Sequence, residues 1–421
     1  MEQPNLAMIP SGYKARVVYS IMPEDGVGDF TFVRSGDATR INKDGLIETV
    51  DSHVPRLNYD LVNGVPSQCP SLLLEPQSTN LLTYSDDFSD SSWTSQAVGA
   101  TVTTNSIISP DGKLNADTVQ GSGSSTFVHI RKNINLTTAS HTFSIFAKKG
   151  TNNFLAVQAQ YYSGATNTAV IFDLNNRIVT SGTGSIEDYG NEWLKCSYTV
   201  LISSDLTGRF LIGPAYNGTT IEFPSTSTAN GKNIYIYGAQ LEQRSYPTSY
   251  IPTSGLTVTR SEEACNSAGN ASTFNSEQGI LFAEIKALSN DQTTRKISIS
   301  DGTTSNAIYI AYITTSNSVR GLITSSGNTQ LKDVVLNITD YNKLAVRYNN
   351  NGTGSFWING INYGTINTGS AFNGNISQLQ FEREQGGTPE AFFGKCKDLR
   401  YYDTEGMTDT EIDNLLTQLT Q

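Results

Sequence analysis

Residues 141–162 read "HTFSIFAKKGTNNFLAVQAQYY". Two stretches, "HTFSIFAKKG" and "FLAVQAQYY", alternate apolar with polar or small residues, and a Gly-Thr-Asn-Asn turn separates them. A period of two places successive side chains on opposite faces, the signature of a half-buried strand. The same pattern recurs on both sides in "STFVHIRKNINL", "TAVIFDL", "EWLKCSYTVLI", "GRFLIGPAY" and "KNIYIYGAQLE". Each is bounded by Gly, Asn, Ser or Thr, so residues 81–255 read as an antiparallel sandwich or jelly roll.

The composition agrees. Of 421 residues only 16% are charged, Gly, Tyr and Phe are plentiful, and long Ala/Leu/Glu/Lys windows are nearly absent. Short strands joined by turns have this make-up. A net charge of −11 argues against nucleic acid, whose phosphates demand a basic patch. The first residues, "MEQPNLAMIPSGYK", do not read as a secretory leader, and no apolar stretch approaches a membrane span. Cys69, Cys196, Cys265 and Cys396 have neither metal nor redox spacing and are expected to be buried free thiols.

A second all-β region, residues 277–421, runs from "GILFAEIKA" through "AIYIAYITT" and "YNKLAVRYNNNGTGSFWINGINYGTI" to "KCKDLRYYD". Asn359-Gly360 lies between two of its strands, a strong hairpin signal. The end, "GMTDTEIDNLLTQLTQ", carries a capping box at Thr408 and Glu411, with Ile412, Leu415, Leu416 and Leu419 on one helical face. Between the two β regions, 256–276 is small and polar and reads as a linker. Residues 1–80 begin as a Pro- and Gly-punctuated arm and continue as a connector of short strands and turns. The fold class expected is all-β: two antiparallel sandwiches behind an N-terminal attachment region, with one short C-terminal helix.

"RINKDG", residues 40–45, invites a calcium reading. An EF-hand loop needs a carboxylate first and a bidentate Glu twelfth. Aligned on Gly45, those positions hold Arg40 and Asp51, so no ion is expected there. Asp301 in "SDGTT" has no second carboxylate at ligand spacing, and no obligatory metal or cofactor is expected.

"RSGDATRIN", "PRLNYD", "LLLEPQSTNLL" and "FSDSSW" resemble a recurrent module of bacteriophage virion proteins, found in tail fibres, head fibres and related adhesins. "YGAQLEQRSYPTSYIPTSG" resembles the closing strand of the jelly roll that follows this module, a domain similar to a carbohydrate-binding module. Residues 277–421 resemble a concanavalin A-like (laminin G-type) lectin domain. The resemblance implies a virion surface location, assembly in the bacterial cytoplasm, a homotrimer, and contacts with other virion proteins and host surface polysaccharide. It also assigns 34–60 a structural role: Arg34, Arg40 and Arg56 would hold turns against Asp60 or Glu75, since a planar guanidinium ties several oxygens together.

Catalytic constellations are missing from the sequence. GxSxG, Walker, HExxH and CxxC patterns are absent, and Glu382 with Glu384 on one strand face reads as solvated surface rather than an acid pair. His53, His129 and His141 read as structural. No catalytic residue is expected, and the chain is read as a non-enzyme. Trp93 and Trp193 fall in strand-like patterns and read as core. Sugar rings stack on exposed aromatic faces while their hydroxyls bond amides and guanidinium groups, so Tyr161, Tyr162, Tyr216, Trp357 and Tyr363, each near polar turn residues, are the candidate platforms. The function expected is a fibre, spike or adhesin that binds host envelope glycans. The alternatives are a purely structural head-fibre, decoration or adaptor protein and a polysaccharide-degrading enzyme.

Overall fold

The computed structural model describes residues 2–8, 13–14, 17–18, 29–94, 99–122, 128–161, 169–204, 206–215, 217–218, 230–382 and 390–421. Strands dominate, and every pairing between named strands is antiparallel. The first sandwich packs a six-stranded sheet on a five-stranded one. The six-stranded sheet runs Ala100–Ile108, Leu114–Gly121, Asn233–Glu242, Ala139–Lys149, Leu194–Ile202, Ser185–Asp188. The five-stranded sheet runs Ile130–Leu136, Leu206–Pro214, Phe154–Gln160, Ala169–Asp173, Ile178–Ser181. All seven segments singled out by their alternation are strands. Phe143, Ile145, Leu155, Val157, Phe172, Phe210 and Ile212 meet in the core between the sheets, joined by the buried Trp93, which sits on the one-turn helix Ser91–Thr94 and not on the strand that its sequence pattern suggests. Trp193 is also buried, in a smaller cluster with Phe146, Tyr237 and Tyr250.

The second sandwich faces an eight-stranded sheet with a five-stranded one, and its core is shared with the N-terminal segment. Ser71–Leu74 pairs with Gly394–Asp403, and Arg56–Asn58 extends the sheet by one more strand. Leu6–Met8 pairs with the other half of Gly394–Asp403. Leu6, Met8, Phe30, Phe32, Leu72 and Leu74 are therefore buried among Ile297, Ile308 and Val346 of the second sandwich. "RINKDG" is the turn of a hairpin, Ala38–Ile41 with Ile47–Val50. Asn42 Oδ1 accepts from the N–H groups of Asp44 and Leu46, and Gly45 adopts φ +79°, a left-handed conformation that glycine tolerates.

The residues read as a linker are built into the fold. Val258–Arg260 pairs with Ser78–Asn80, and Ala264–Asn266 with Phe30–Val33. Between these strands Glu263 enters a buried ion cluster. Its Oε1 meets Arg34 Nη1 at 2.9 Å and Arg56 Nε at 2.7 Å, and Oε2 meets Arg56 Nη2 and accepts from the Glu75 N–H at 2.9 Å. Glu75 in turn takes Arg56 at 2.8 Å and Arg260 at 2.7 Å. Arg34 also donates to the carbonyls of Gly36, Val50, Asp51 and Val54. Of the expected framework, Arg34, Arg56 and Glu75 thus meet here. Arg40 instead pairs with Glu48 across its hairpin, and Asp60 lies elsewhere, held by Lys395, Lys286 and the Tyr341 hydroxyl.

Cys196, Cys265 and Cys396 are buried and unpaired thiols, whereas Cys69 is exposed. It sits in the turn before Ser71–Leu74, where no layer covers it.

The C-terminal helix, Asp409–Thr420, starts at the capping box: the Glu411 N–H donates to Thr408 Oγ1, and Glu411 Oε2 accepts from the Thr408 N–H. Ile412, Leu415, Leu416 and Leu419 are buried against Ile280, Phe282, Ala345, Trp357 and Tyr402, on the outer face of the eight-stranded sheet. Asn359 and Gly360 both have positive φ, +48° and +84°, as a tight hairpin turn requires, and the Gly360 N–H donates to Thr420 Oγ1 at the helix end. Truncating a buried leucine forfeits its transfer energy and leaves a cavity, so Leu416→Ala should cost about 2–5 kcal/mol in urea denaturation of the full chain; a change below about 1 kcal/mol contradicts this packing.

The ion cluster predicts a second outcome. Burial opposes ionisation of Glu75, but the Arg260 and Arg56 guanidinium groups and the Ser249 hydrogen bonds outweigh it and hold the carboxyl far below the usual range. A depressed carboxyl stabilises the fold above its unfolded value and loses that contribution as pH falls toward the folded one. Stability should therefore drop on acidification from about pH 4.3 downward, and Glu75→Gln should flatten that part of the curve. Glu263→Ala, which leaves buried Arg34 without a carboxylate and Arg56 with Glu75 alone, should cost roughly 3–5 kcal/mol at neutral pH.

Candidate functional site

The five-stranded sheet of the first sandwich turns Ile130, Leu155, Val157, Ala159, Val170, Phe172, Phe210 and Ile212 inward. Alternation then places Arg131, Asn133, Asn135, Gln158, Gln160, Thr207 and Arg209 on the opposite face. The register arranges them in rows. Arg209 lies between Asn133 and Gln160, and Leu211 lies between Arg131 and Gln158. The middle of this face is apolar and covered, with Ala156, Ile171 and Leu211 buried beside Phe154. The polar rows lie toward its end.

Tyr161 closes the group. It follows the last residue of Phe154–Gln160 and has φ +68°, a conformation uncommon for a residue with a side chain. The residue remains 59% exposed, with the Arg209 guanidinium over its ring, 4.5 Å from the centroid. Arg209 Nε donates to Gln160 Oε1 at 2.8 Å and Nη2 donates to Tyr161 Oη at 3.1 Å. Gln160 Nε2 donates to Gln158 Oε1 at 2.6 Å, and Thr207 Oγ1 to Asn135 Oδ1 at 2.6 Å. An exposed ring flanked by amides and a guanidinium offers what a pyranose needs: a flat apolar surface and hydrogen-bonding groups at its rim.

The other aromatic candidates do not join this group. Trp357 is a correction to the sequence reading: it is only 7% exposed, enclosed with the C-terminal helix, and offers no free face for stacking. Tyr363 is half-buried against the core of the second sandwich. Tyr162 and Tyr216 lie outside the described residues. Arg209 and the two glutamines were missed by sequence reasoning, because only cross-strand register brings positions 158–161 and 209 together.

Two other places lack such a platform. A cleft of about 530 Å³ opens where the N-terminal hairpins and both sandwiches meet. Several of its charges are committed to its own walls, Asp60 to Lys286 and Lys395 and Arg177 to Asp188. Asp301 spends its carboxylate on Thr303 and Asn306 in its own loop. Among the described residues no group of three or more His, Cys, Asp or Glu side chains is placed to hold a metal ion, and no helix is long and apolar enough to cross a membrane.

No family model matches the sequence, nor does any curated protein. Among solved structures, the chain is similar to the CBM40 module of the Ruminococcus gnavus IT-sialidase bound to alpha2,3 sialyllactose, with a TM-score of 0.30 and 15% identity over 37% of this chain and 94% of that one. It is also similar to domains LG4-5 of the mouse laminin alpha1 chain, with a TM-score of 0.27 and 9% identity over 65% of this chain and 87% of that one. A third similarity is to the heptameric SAP-like pentraxin of Limulus polyphemus, with a TM-score of 0.27 and 14% identity over 33% and 70% of the two chains. At these scores the likenesses carry no functional weight, and function has to be read from the side chains.

His129, at the foot of the polar face, is buried, and burial with Arg131 and Arg209 nearby pushes its imidazole down to about 4. A lowered histidine pKa means that the unfolded chain takes up the proton first. His129 therefore costs the fold stability as pH falls from about 6.5, until the folded chain also protonates near 4. In an NMR titration the His129 ring signals should stay those of the neutral form down to about pH 5; a midpoint near 6.5 would contradict this environment.

Proposed function

We propose that this chain is a glycan-binding protein of the bacteriophage virion surface, a fibre, spike or adhesin that assembles as a homotrimer. It contacts other virion proteins and recognises host envelope polysaccharide without cleaving it. The observation that carries the binding reading is the exposed Tyr161 ring clamped by Arg209 beside Gln158 and Gln160, on the outer face of a rigid sheet. A preorganised aromatic with hydrogen-bonding neighbours binds sugars at little entropic cost. The resemblance of the segments quoted between residues 34 and 93 and of 237–255 to virion modules supports the location and the trimer.

The test is an array of bacterial envelope polysaccharides probed with the full chain and with Tyr161→Ala. Binding by the full chain, weakened at least about tenfold in the variant, is the predicted result; a tenfold loss corresponds to roughly 1.4 kcal/mol. Unchanged binding by the variant shows that Tyr161 is not the platform, and release of soluble sugar during incubation overturns the non-enzymatic reading. Light scattering at micromolar concentration should give three times the chain mass.

A further inference from the structure

The polar face of the first sandwich contains a specific chemical asymmetry. Among the described residues toward the Tyr161 end of this face, Arg131, Arg209 and the buried His129 are basic, in a chain whose net charge is −11; a carboxylate, Asp173, lies at the other end of the face opposite Phe154 and accepts hydrogen bonds from Asn175 and Asn176. Arg209 forms no ion pair with any described carboxylate. Its neighbours in register are amides, Asn133 and Gln160, and its stacking partner is a phenol. Elsewhere several exposed or half-exposed arginines pair with a carboxylate, Arg40 with Glu48, Arg177 with Asp188, Arg320 with Asp333, Arg347 with Asp409 and Arg400 with Asp398, whereas half-buried Arg244, like Arg209, is held by neutral oxygens, those of Ser78 and Gln77.

The geometry of Arg209 also leaves part of its guanidinium free. Nε is used by Gln160 and one Nη2 hydrogen by Tyr161. Among the described residues nothing accepts from Nη1, so the Nη1–Nη2 edge keeps a parallel pair of N–H donors. That edge is the fork that binds two oxygens of one anionic group in bidentate fashion. The ring and Gln160 fix the guanidinium in place, so little side-chain entropy remains to be lost when the anion arrives. Arg131, one row away beside Leu211, adds a second positive charge at the same end of the sheet. Burial first, and Arg131 after it, lower the pKa of Arg209.

We propose that this face selects an anionic saccharide, with the free edge of Arg209 receiving a carboxylate or phosphate group while the sugar ring lies on Tyr161. The inference rests on the glycan-binding reading above and narrows it to charged sugars. Gln158 and the Asn133 amide bond the neighbouring hydroxyls. A neutral polysaccharide would gain the stacking and the amides but leave the guanidinium edge to water.

The experiment uses the full chain on an array in which each acidic bacterial polysaccharide is printed beside its carboxyl-reduced form, and each phosphorylated one beside its dephosphorylated form. The predicted result is binding to a charged member about tenfold or more above its neutral twin, the size expected for a charge-assisted hydrogen bond. Which pair responds tells carboxylate from phosphate. Arg209→Gln should erase the difference between twins, Arg209→Lys should restore only part of it because the fork is lost, and Arg131→Gln should reduce it. Circular dichroism melting of each variant shows whether the fold persists, and both positions lie on the outer face of the sheet. Equal binding to charged and neutral twins overturns the charge selection and leaves the glycan reading standing. No binding to any polysaccharide overturns both. A charge preference that survives Arg209→Gln overturns the assignment to this edge.

Discussion

Three guanidinium groups and two carboxylates, all of them buried, join the separate parts of this molecule. Arg34 and Arg56 come from the N-terminal segment, Glu75 from its last strands, and Arg260 and Glu263 from the stretch between the sandwiches. Taking these charges out of water is expensive, and the cost is offset only when every charge finds its partner. An alternative register of any contributing strand would leave a buried charge uncompensated. The cluster therefore acts on specificity: it selects the one arrangement in which Ser71–Leu74 pairs with Gly394–Asp403 while Ser78–Asn80 pairs with Val258–Arg260.

From this clamp the constraint passes to the first sandwich. Ser249 donates to Glu75, and Glu242, also buried, accepts from Ser78 and from the Thr248 N–H and hydroxyl. Glu242 ends the strand Asn233–Glu242, which pairs with Ala139–Lys149 at the centre of the six-stranded sheet. The five-stranded sheet packs on that sheet through Phe143 and Phe210, whose rings stack at 5.3 Å. Arg209 immediately precedes Phe210, so the inward ring and the outward guanidinium are set by the same backbone. The platform is thereby held by the core.

Most of the architecture was legible in the sequence because burial on one face imposes a period of two. The longer strands between 130 and 242 displayed it, whereas Ile178–Ser181 and Ser185–Asp188, four residues each, did not, and the C-terminal helix displayed both its cap and its apolar stripe. Ala100–Ile108 and Leu114–Gly121 did not stand out: "TVTTNSII" is a polar, largely exposed edge strand, and "LNADTVQG", its neighbour, is mostly buried but buries Asp117 and Thr118 beside Ala116 and Val119, so neither shows a contrast between apolar and polar faces. Val258–Arg260 and Ala264–Asn266 are three residues each, too short to show any period. Glu263 sits among polar residues, and nothing local announces a carboxylate buried by partners far back along the chain. Trp357 illustrates the converse. Its strand pattern is clear, yet which side is covered depends on a helix well downstream. Of the site, Tyr161 could be picked out as one of two adjacent tyrosines at a strand end, whereas Arg209 needed the strand register to become visible.

Sugar held on the outer face of the five-stranded sheet is the reading on which the function stands. A crystal structure of the full chain with an oligosaccharide cut from the best-binding polysaccharide would show the contact itself. The expected result is a sugar ring on Tyr161 with oxygens at hydrogen-bond distance from Arg209 and Gln158. Density for the sugar in the cleft between the sandwiches, or on the second sandwich, with Tyr161 left bare, would contradict it.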